Sequence, residues 1–385
     1  MGADPVVHWT EGAQARSARW RSERGAPPPK RVVIADDRMT ADAAYGLACQ
    51  GTALLWRGDF QNARQMLIAL ATRADRQARK PKKPAASPTP TSAADAFNLH
   101  RQARSQRART LGMLVMELDG NHELALRRAP DVRQACAEVY GPGGGPSVTS
   151  LRELLGLVGA HEWRVKGIEI AAIGDRIHPH YGVFTPIRRE YVNLVAEAPL
   201  PAAWSSSSVA FDIGTGTGVL AAVLARRGVS RVVATDQDAR ALACARENLD
   251  RLGLARQVEV VQADLFPEGR AALVVCNPPW VPARPSSPLE HGIFDPDSRM
   301  LRGFLAALPA HLAPGGEGWL ILSDLAEHLG LRSRAELLAM FEAAGLKVVN
   351  RSDARPTHPK ASDETDALHA ARAAEVTSLW RLALR

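Results

Sequence analysis

From residue 209 onward the chain alternates short β-branched runs with amphipathic stretches of helix length, and this alternation constrains its fold more than any other feature. The pieces are VAFDI then VLAAVLARRG; RVVATD then ARALACARENLDRLG; QVEVVQAD; AALVVCN then SRMLRGFLAALPAHL; GWLILSD then RAELLAMFEAAG; LKVVN; and VTSLWRLAL. Strands separated by helices of this length call for parallel pairing through crossovers, with helices on both faces of one sheet. The last strand follows a long polar segment, residues 351–375, and is not bound to be parallel. In doubly wound sheets ligands bind beyond the C-terminal strand ends, so chemistry is sought there.

The first strand ends in Asp212-Ile213-Gly214-Thr215-Gly216-Thr217-Gly218 and opens directly into a helix. Glycines in such a turn let backbone N–H groups and the helix N-terminus approach a ligand closely. The spacing G-x-G-x-G after an acid departs from the dinucleotide fingerprint G-x-G-x-x-G, which argues against a nicotinamide or flavin. Asp236 ends the second strand, where it can accept from two ribose hydroxyls, and Asp264 ends the third in A-D-L-F, where it can accept from an adenine amino group. Taken singly, each acid reads equally as a helix cap or an exposed turn. After the apolar strand AALVVC comes Asn277-Pro278-Pro279-Trp280. The prolines fix the backbone, so the Asn amide oxygen and the Pro278 carbonyl can accept both hydrogens of a planar amino group. Trp280 can stack on a flat substrate.

Together, in this order and spacing, D-I-G-T-G-T-G, Asp236, A-D-L-F and N-P-P-W resemble the class I S-adenosylmethionine-dependent methyltransferases. Within that superfamily they resemble the N-methylating group of HemK-type release-factor glutamine methyltransferases and small-domain rRNA guanine methyltransferases. The resemblance covers about residues 180–350, and ATDQDARALACARENLDRLGL is especially similar to the HemK type. It implies a doubly wound, Rossmann-like methyltransferase sheet with S-adenosyl-L-methionine as cofactor. It also implies that Asp212, Gly214, Gly216 and Gly218 bind the methionine part, Asp236 the ribose and Asp264 the adenine. Gln237, Leu265, Phe184, Thr185 and Asn277 complete the implied cofactor set, and Asn277, Pro278, Pro279 and Trp280 would hold the target amine. The chain departs from the HemK type in carrying Trp280 where Tyr is usual. It also reads Tyr181-Gly182-Val183-Phe184-Thr185-Pro186-Ile187-Arg188-Arg189-Glu190 where that type has a Pro-Arg-Pro-Glu-Thr-Glu-like element, closer to the G-V-F element of the rRNA enzymes.

The N-terminal half is organised differently. Residues 1–35 are polar and Arg-rich and end near a Pro run, which predicts a loose arm with no core residue. Helical spacing in residues 36–160 predicts a helical substrate-recognition domain. Within it, Leu54, Leu55, Met66, Leu67 and Leu70 suggest an αα-hairpin, and a flexible basic linker lies near 80–96. A β-hairpin connector is expected over 161–200, before the cofactor-binding domain 201–385.

Charge follows the same division. The net charge is +7, of which residues 1–200 carry +8 and residues 201–385 carry −1, and residues 73–109 alone hold ten basic residues against two acidic ones. Such a cluster attracts RNA, DNA or a ribosomal surface, or simply forms a solvated linker. Phe97 is the one aromatic residue there, which disfavours sequence-specific single-strand binding. His178 and His180 flank Pro179 with no third ligand at recognisable spacing, and the four cysteines have no C-x-x-C spacing, so neither a metal site nor a disulfide framework is expected. Cys276, last in an apolar strand, reads as packing. The start has no signal-peptide pattern and no long apolar run follows, so a cytoplasmic protein without a membrane span is expected. The expected function is N-methylation of a translation-related macromolecule, an RNA base or a protein glutamine. The alternatives are a small-molecule methyltransferase with the helical domain as lid, and a non-catalytic binding module.

Overall fold

In the computed structural model, which describes residues 5–79, 92–287, 290–356 and 368–385, the chain divides into two units. Unit 1 comprises residues 1–91, 98–162 and 286–288, and unit 2 residues 92–97, 163–285 and 289–385.

Unit 1 overturns two expectations. The described residues 5–35 are not a loose arm, and the described residues of 36–160, though largely helical, also supply three strands to a sheet. Strands β1 (Val6–Glu11), β2 (Gln14–Trp20), β3 (Arg31–Ala35), β4 (Thr52–Trp56), β5 (Leu114–Leu118) and β6 (Ser147–Ser150) form one sheet in the order β1-β2-β6-β5-β4-β3. Around it lie α1 (Ala41–Cys49), α2 (Phe60–Arg79), α3 (Ala93–Leu111), α4 (Arg133–Tyr140) and α5 (Leu151–Lys166). The arm is a hairpin because Val7, Trp9, Ala18 and Trp20 all turn inward at period two, while polar residues such as His8 and Arg19 between them mask the pattern. Leu54 and Leu55 lie in a strand, not in an αα-hairpin. T-A-L-L-W is buried along its whole length between Gly51 and Arg57, and a short apolar run does not by its period distinguish a helix from a buried strand. Of the expected linker, residues 80–91 lie outside the described residues; the rest corrects to helix, because Ser92 accepts from the Asp95 N–H at 3.1 Å and starts α3 at Ala93.

Unit 2 has the predicted doubly wound sheet. Its strands are β9 (Val209–Ile213), β10 (Arg231–Asp236), β11 (Val258–Gln262), β12 (Ala271–Cys276), β13 (Leu312–Ser323), β14 (Leu346–Ala354) and β15 (Thr377–Leu384). They stand in the order β11-β10-β9-β12-β13-β15-β14, β15 alone running antiparallel to both its neighbours. Ahead of this sheet, β7 (Ile168–Ile170) and β8 (Asp175–Ile177) form an antiparallel hairpin. Alternate side chains of each strand serve two cores. Ala210, Leu273, Val275, Trp319 and Ile321 face the layer of α6 (Glu190–Glu197), α7 (Val219–Arg226) and α8 (Ala239–Arg251). Phe211, Val274, Cys276, Leu320 and Leu322 face α9 (Arg299–His311) and α11 (Arg334–Ala343), and short helices α10 (Leu325–His328) and α12 (His369–Ala374) complete the unit.

Candidate functional site

The sheet order reverses between β9 and β12, the switch point at which doubly wound sheets leave a crevice. Register sets Cys276 of β12 beside Ile213 of β9, so the glycine turn and Asn277 leave the sheet side by side.

The glycine turn is held from beneath by its own acid. Asp212 is 1% exposed, and its Oδ2 accepts from the Thr215 hydroxyl at 2.6 Å and the Ala221 N–H at 3.0 Å. Burial pushes its carboxyl up to about 6, opposed by those two hydrogen bonds. Asp212 thus fastens the turn to the start of α7. Gly216 has φ +55°, and a Cβ built on it meets nothing within 4 Å, so the turn presents bare backbone toward open space. Asp236, at the end of β10, accepts from the Gly216 N–H at 3.0 Å with Oδ2 and from the Asp238 N–H at 3.0 Å with Oδ1. Burial raises its pKa as well. Asp212 and Asp236 thus both bond to the glycine turn, at Thr215 and Gly216.

The third strand end differs from expectation. Asp264 is exposed and its carboxylate pairs with Arg299 at 2.9 Å. Leu265 holds φ +79°, and its carbonyl accepts from the Thr235 hydroxyl at 2.6 Å, which ties this turn to β10. Gln237 is exposed and its carbonyl accepts from the Gln262 side chain. Phe184 is partly exposed and abuts Gly292, in the stretch after N-P-P-W, while the Thr185 hydroxyl turns back to the Val183 carbonyl at 3.4 Å; neither side chain bonds to the glycine turn.

At the fourth strand end, the indole N–H of Trp280 donates to Oδ1 of Asn277 at 2.9 Å. Asn277 precedes one proline and Pro278 another, which holds both in extended backbone. Arg188 lies over the Trp280 ring, its guanidinium carbon 5.1 Å from the centroid, so one face of the indole is already covered. Arg188 is in turn bidentate to Glu375, at 2.6 and 2.9 Å, and the buried Ser323 hydroxyl donates to the same carboxylate at 2.6 Å. Glu375 is 1% exposed, an acid whose two oxygens are fully engaged.

Sequence reasoning quoted Arg188 and Glu190 without roles and passed over Glu375 and Ser323. Glu190 is buried and neither carboxylate oxygen has a hydrogen-bond partner. The one available signal was an acid placed among apolar positions at the start of an amphipathic helix. The two histidines serve the connector: His178 Nδ1 lies 2.6 Å from the Arg164 carbonyl and His180 Nε2 lies 2.7 Å from Glu247. Cys276 is fully buried, its thiol pushed well above the ordinary value by burial.

Residues 177–346 match the model of the methyltransferase small domain. Unit 2 holds a class I S-adenosylmethionine-dependent methyltransferase domain. Three curated relatives of the domain share its sequence. A ribosomal protein L11 methyltransferase of Pelotomaculum thermopropionicum is 39% identical over 146 residues, covering 37% of this chain and 39% of the relative. A release factor glutamine methyltransferase of Cereibacter sphaeroides is 34% identical over 154 residues, covering 36% and 52%. A ribosomal RNA small subunit methyltransferase C of Alcanivorax borkumensis is 31% identical over 144 residues, covering 34% and 40%. The chain thus spans about half or less of each of these relatives. Among the described residues no group of three or more His, Cys, Asp or Glu side chains in the methyltransferase domain or outside it is arranged to hold a metal ion, and no helix is long and apolar enough to cross a membrane.

Proposed function

We propose that the chain transfers a methyl group from S-adenosyl-L-methionine to a planar amino or amide nitrogen of a translation-related macromolecule. The observation that carries this reading is the Asn277–Trp280 hydrogen bond beside the glycine turn. It consumes one acceptor site of the Asn amide oxygen and leaves the second for an incoming N–H. The printed names of the relatives, a ribosomal protein, a release factor and a ribosomal RNA methyltransferase, support a translation-related acceptor.

The residues fit the cofactor. Gly216 offers a cradle that a side chain would fill, and Asp236 stands beside it with a carboxylate suited to ribose hydroxyls. Glu190 holds two buried, unpartnered carboxylate oxygens, and a cationic amino group such as the cofactor's is their natural partner. Asp212 acts through the loop it fastens. Asp264, paired with Arg299 on the surface, serves adenine only by sharing that partner. Bound S-adenosyl-L-methionine supplies a methyl already activated on a sulfonium. The protein then has to align the acceptor and exclude water, and alignment alone is worth several kcal/mol. Asn277 and the Pro278 carbonyl accept the two hydrogens of the acceptor's amino group, orient its lone pair and stabilise the positive charge that grows on the nitrogen. The proton leaves after transfer. Trp280 stacks against a flat acceptor at the mouth of the site.

The test is Asn277→Ala, assayed by calorimetry with S-adenosylmethionine and by transfer of labelled methyl into cell extract fractionated into RNA, protein and small molecules. Transfer should vanish while cofactor affinity stays within about threefold. Loss of both together refutes the role given to Asn277, and label in the small-molecule fraction alone refutes the macromolecular acceptor.

A further inference from the structure

In unit 1, α3 carries Arg101, Arg104 and Arg107 three residues apart, which places them along one helix face. Arg107 is bidentate to Asp75, at 2.7 and 3.2 Å. Arg104, Arg24 and Arg152 make no ion pair within 4 Å among the described residues, and Arg24 acts on the Glu153 carboxylate only at longer range.

Two further segments with arginines are clipped together by one acid. Glu153 Oε1 accepts from the backbone N–H of Glu23 at 2.9 Å and from the Tyr140 hydroxyl at 2.8 Å. The turn after β2 is thereby fastened to the first turn of α5, and the next residue along one segment, Arg24, meets the preceding residue of the other, Arg152. Arg21 lies 5.4 Å over the Tyr140 ring, its Nε buried without a partner. The cluster leaves its mark on Arg152. Burial first, then the charges of Arg24, Arg107 and Arg104, pull its pKa down to about 10. A guanidinium so placed is desolvated and repelled by its neighbours.

We propose that Arg21, Arg24, Arg104, Arg107 and Arg152 form a binding site for RNA phosphates, on the unit that lies outside the methyltransferase match. This deepens the reading of a translation-related acceptor by naming RNA as its class, and rests on that reading. A polyanion supplies the missing counter-charge, and each phosphate neutralised by Arg releases condensed counterions. RNA is favoured over a phosphorylated protein because the arginines come from three separate segments, the turn after β2, α3 and α5, and outnumber what one phosphate engages. A chain with a phosphate at every nucleotide matches an extended charge, whereas a single phosphorylated side chain needs only one convergent pocket.

The experiment uses the full chain, with deproteinised ribosomal RNA and a labelled 20-nucleotide single-stranded RNA as probes, in fluorescence anisotropy at three salt concentrations. Arg152→Gln should weaken both probes about fivefold or more, and Arg24→Gln with Arg104→Gln about tenfold or more. The salt dependence should fall by about one unit of slope per contact removed. Melting temperatures should stay at or above wild type, because each change relieves repulsion; a merely structural arginine would lower them. Should Arg152→Gln melt lower, Arg152→Lys decides, since affinity kept within threefold supports a phosphate contact and affinity lost overturns it. Unchanged RNA affinity and slope in both variants, or no RNA binding by a wild type that binds S-adenosylmethionine, overturns the proposal. Wild type that binds RNA but not S-adenosylmethionine sinks the methyl-transfer reading instead and leaves the RNA site standing.

Discussion

Trp280 and Asn277 are joined by a hydrogen bond of 2.9 Å from indole to amide, inside a motif only four residues long. The bond requires a ring N–H, which neither Phe nor Tyr has, so Trp280 holds Asn277 in a way those aromatics would not. Trp280→Phe keeps the ring and loses the donor. A neutral hydrogen bond is worth about 1 kcal/mol net. Single-turnover methyl transfer should therefore fall about fivefold, with cofactor affinity within about twofold by calorimetry. An unchanged transfer rate would mean that the bond does not orient Asn277.

The Arg188–Glu375 pair is buried at its acidic end, and breaking such a pair from one side costs about 3–5 kcal/mol. Arg188→Met should shift the urea midpoint strongly downward, and Arg188→Met with Glu375→Leu should recover most of the loss. The double variant still lacks the cation over Trp280, so recovered stability with reduced transfer would separate the structural from the positioning role. Equal loss in the single and double variants would refute the pairing argument.

Glu190 is tested by Glu190→Gln. If its unpartnered oxygens hold a cation, the neutral isostere should weaken S-adenosylmethionine about tenfold or more. Unchanged affinity would show that Glu190 faces no ligand.

Asp212 titrates near 3.8 in an unfolded chain and is pushed up to about 6 in the fold. Between those values the native state binds more protons than the unfolded state, so this group's contribution to stability falls as pH rises through the window. Asp212→Asn abolishes that titration. Relative to wild type, the variant should gain stability as pH goes from 4 to 6 and level off near 7, by about 3 kcal/mol at most. Urea midpoints at four pH values suffice, and a flat difference would show that Asp212 is not desolvated.

Gly216 and Gly218 both have left-handed backbone, φ +55° and +81°, but only Gly218 is crowded: a Cβ there lies 3.3 Å from the Ala245 Cα of α8. Gly218→Ala should cost stability beyond the roughly 1–2 kcal/mol of the left-handed penalty alone. Gly216→Ala should cost no more than that penalty, yet abolish cofactor binding by filling the cradle. Equal stability loss in both would refute the close approach of α8.

The doubly wound sheet and the positions of its strand ends were legible in the sequence, because parallel strands buried on both faces read as short apolar runs and amphipathic helices keep a period of 3.6. The antiparallel partner strand at the C-terminus was left open for the same reason: direction is not written in a side-chain pattern. The N-terminal sheet was not legible. Trp9 and Trp20 carry its core, but the polar, arginine-rich residues around them imitate a disordered arm, and T-A-L-L-W offers no period by which to tell strand from helix. Composition placed the positive charge in the N-terminal half; only the Glu153 clip, between residues 130 apart in sequence, brought Arg24 to Arg152. The same division holds at the site. The residue types at the strand ends were determined by local sequence, since each follows its own strand directly. What each side chain does was decided by partners distant along the chain, Arg299 for Asp264, Arg188 for Trp280 and Glu375 for Arg188, because a polar group withdrawn from water takes whichever partner the fold sets beside it.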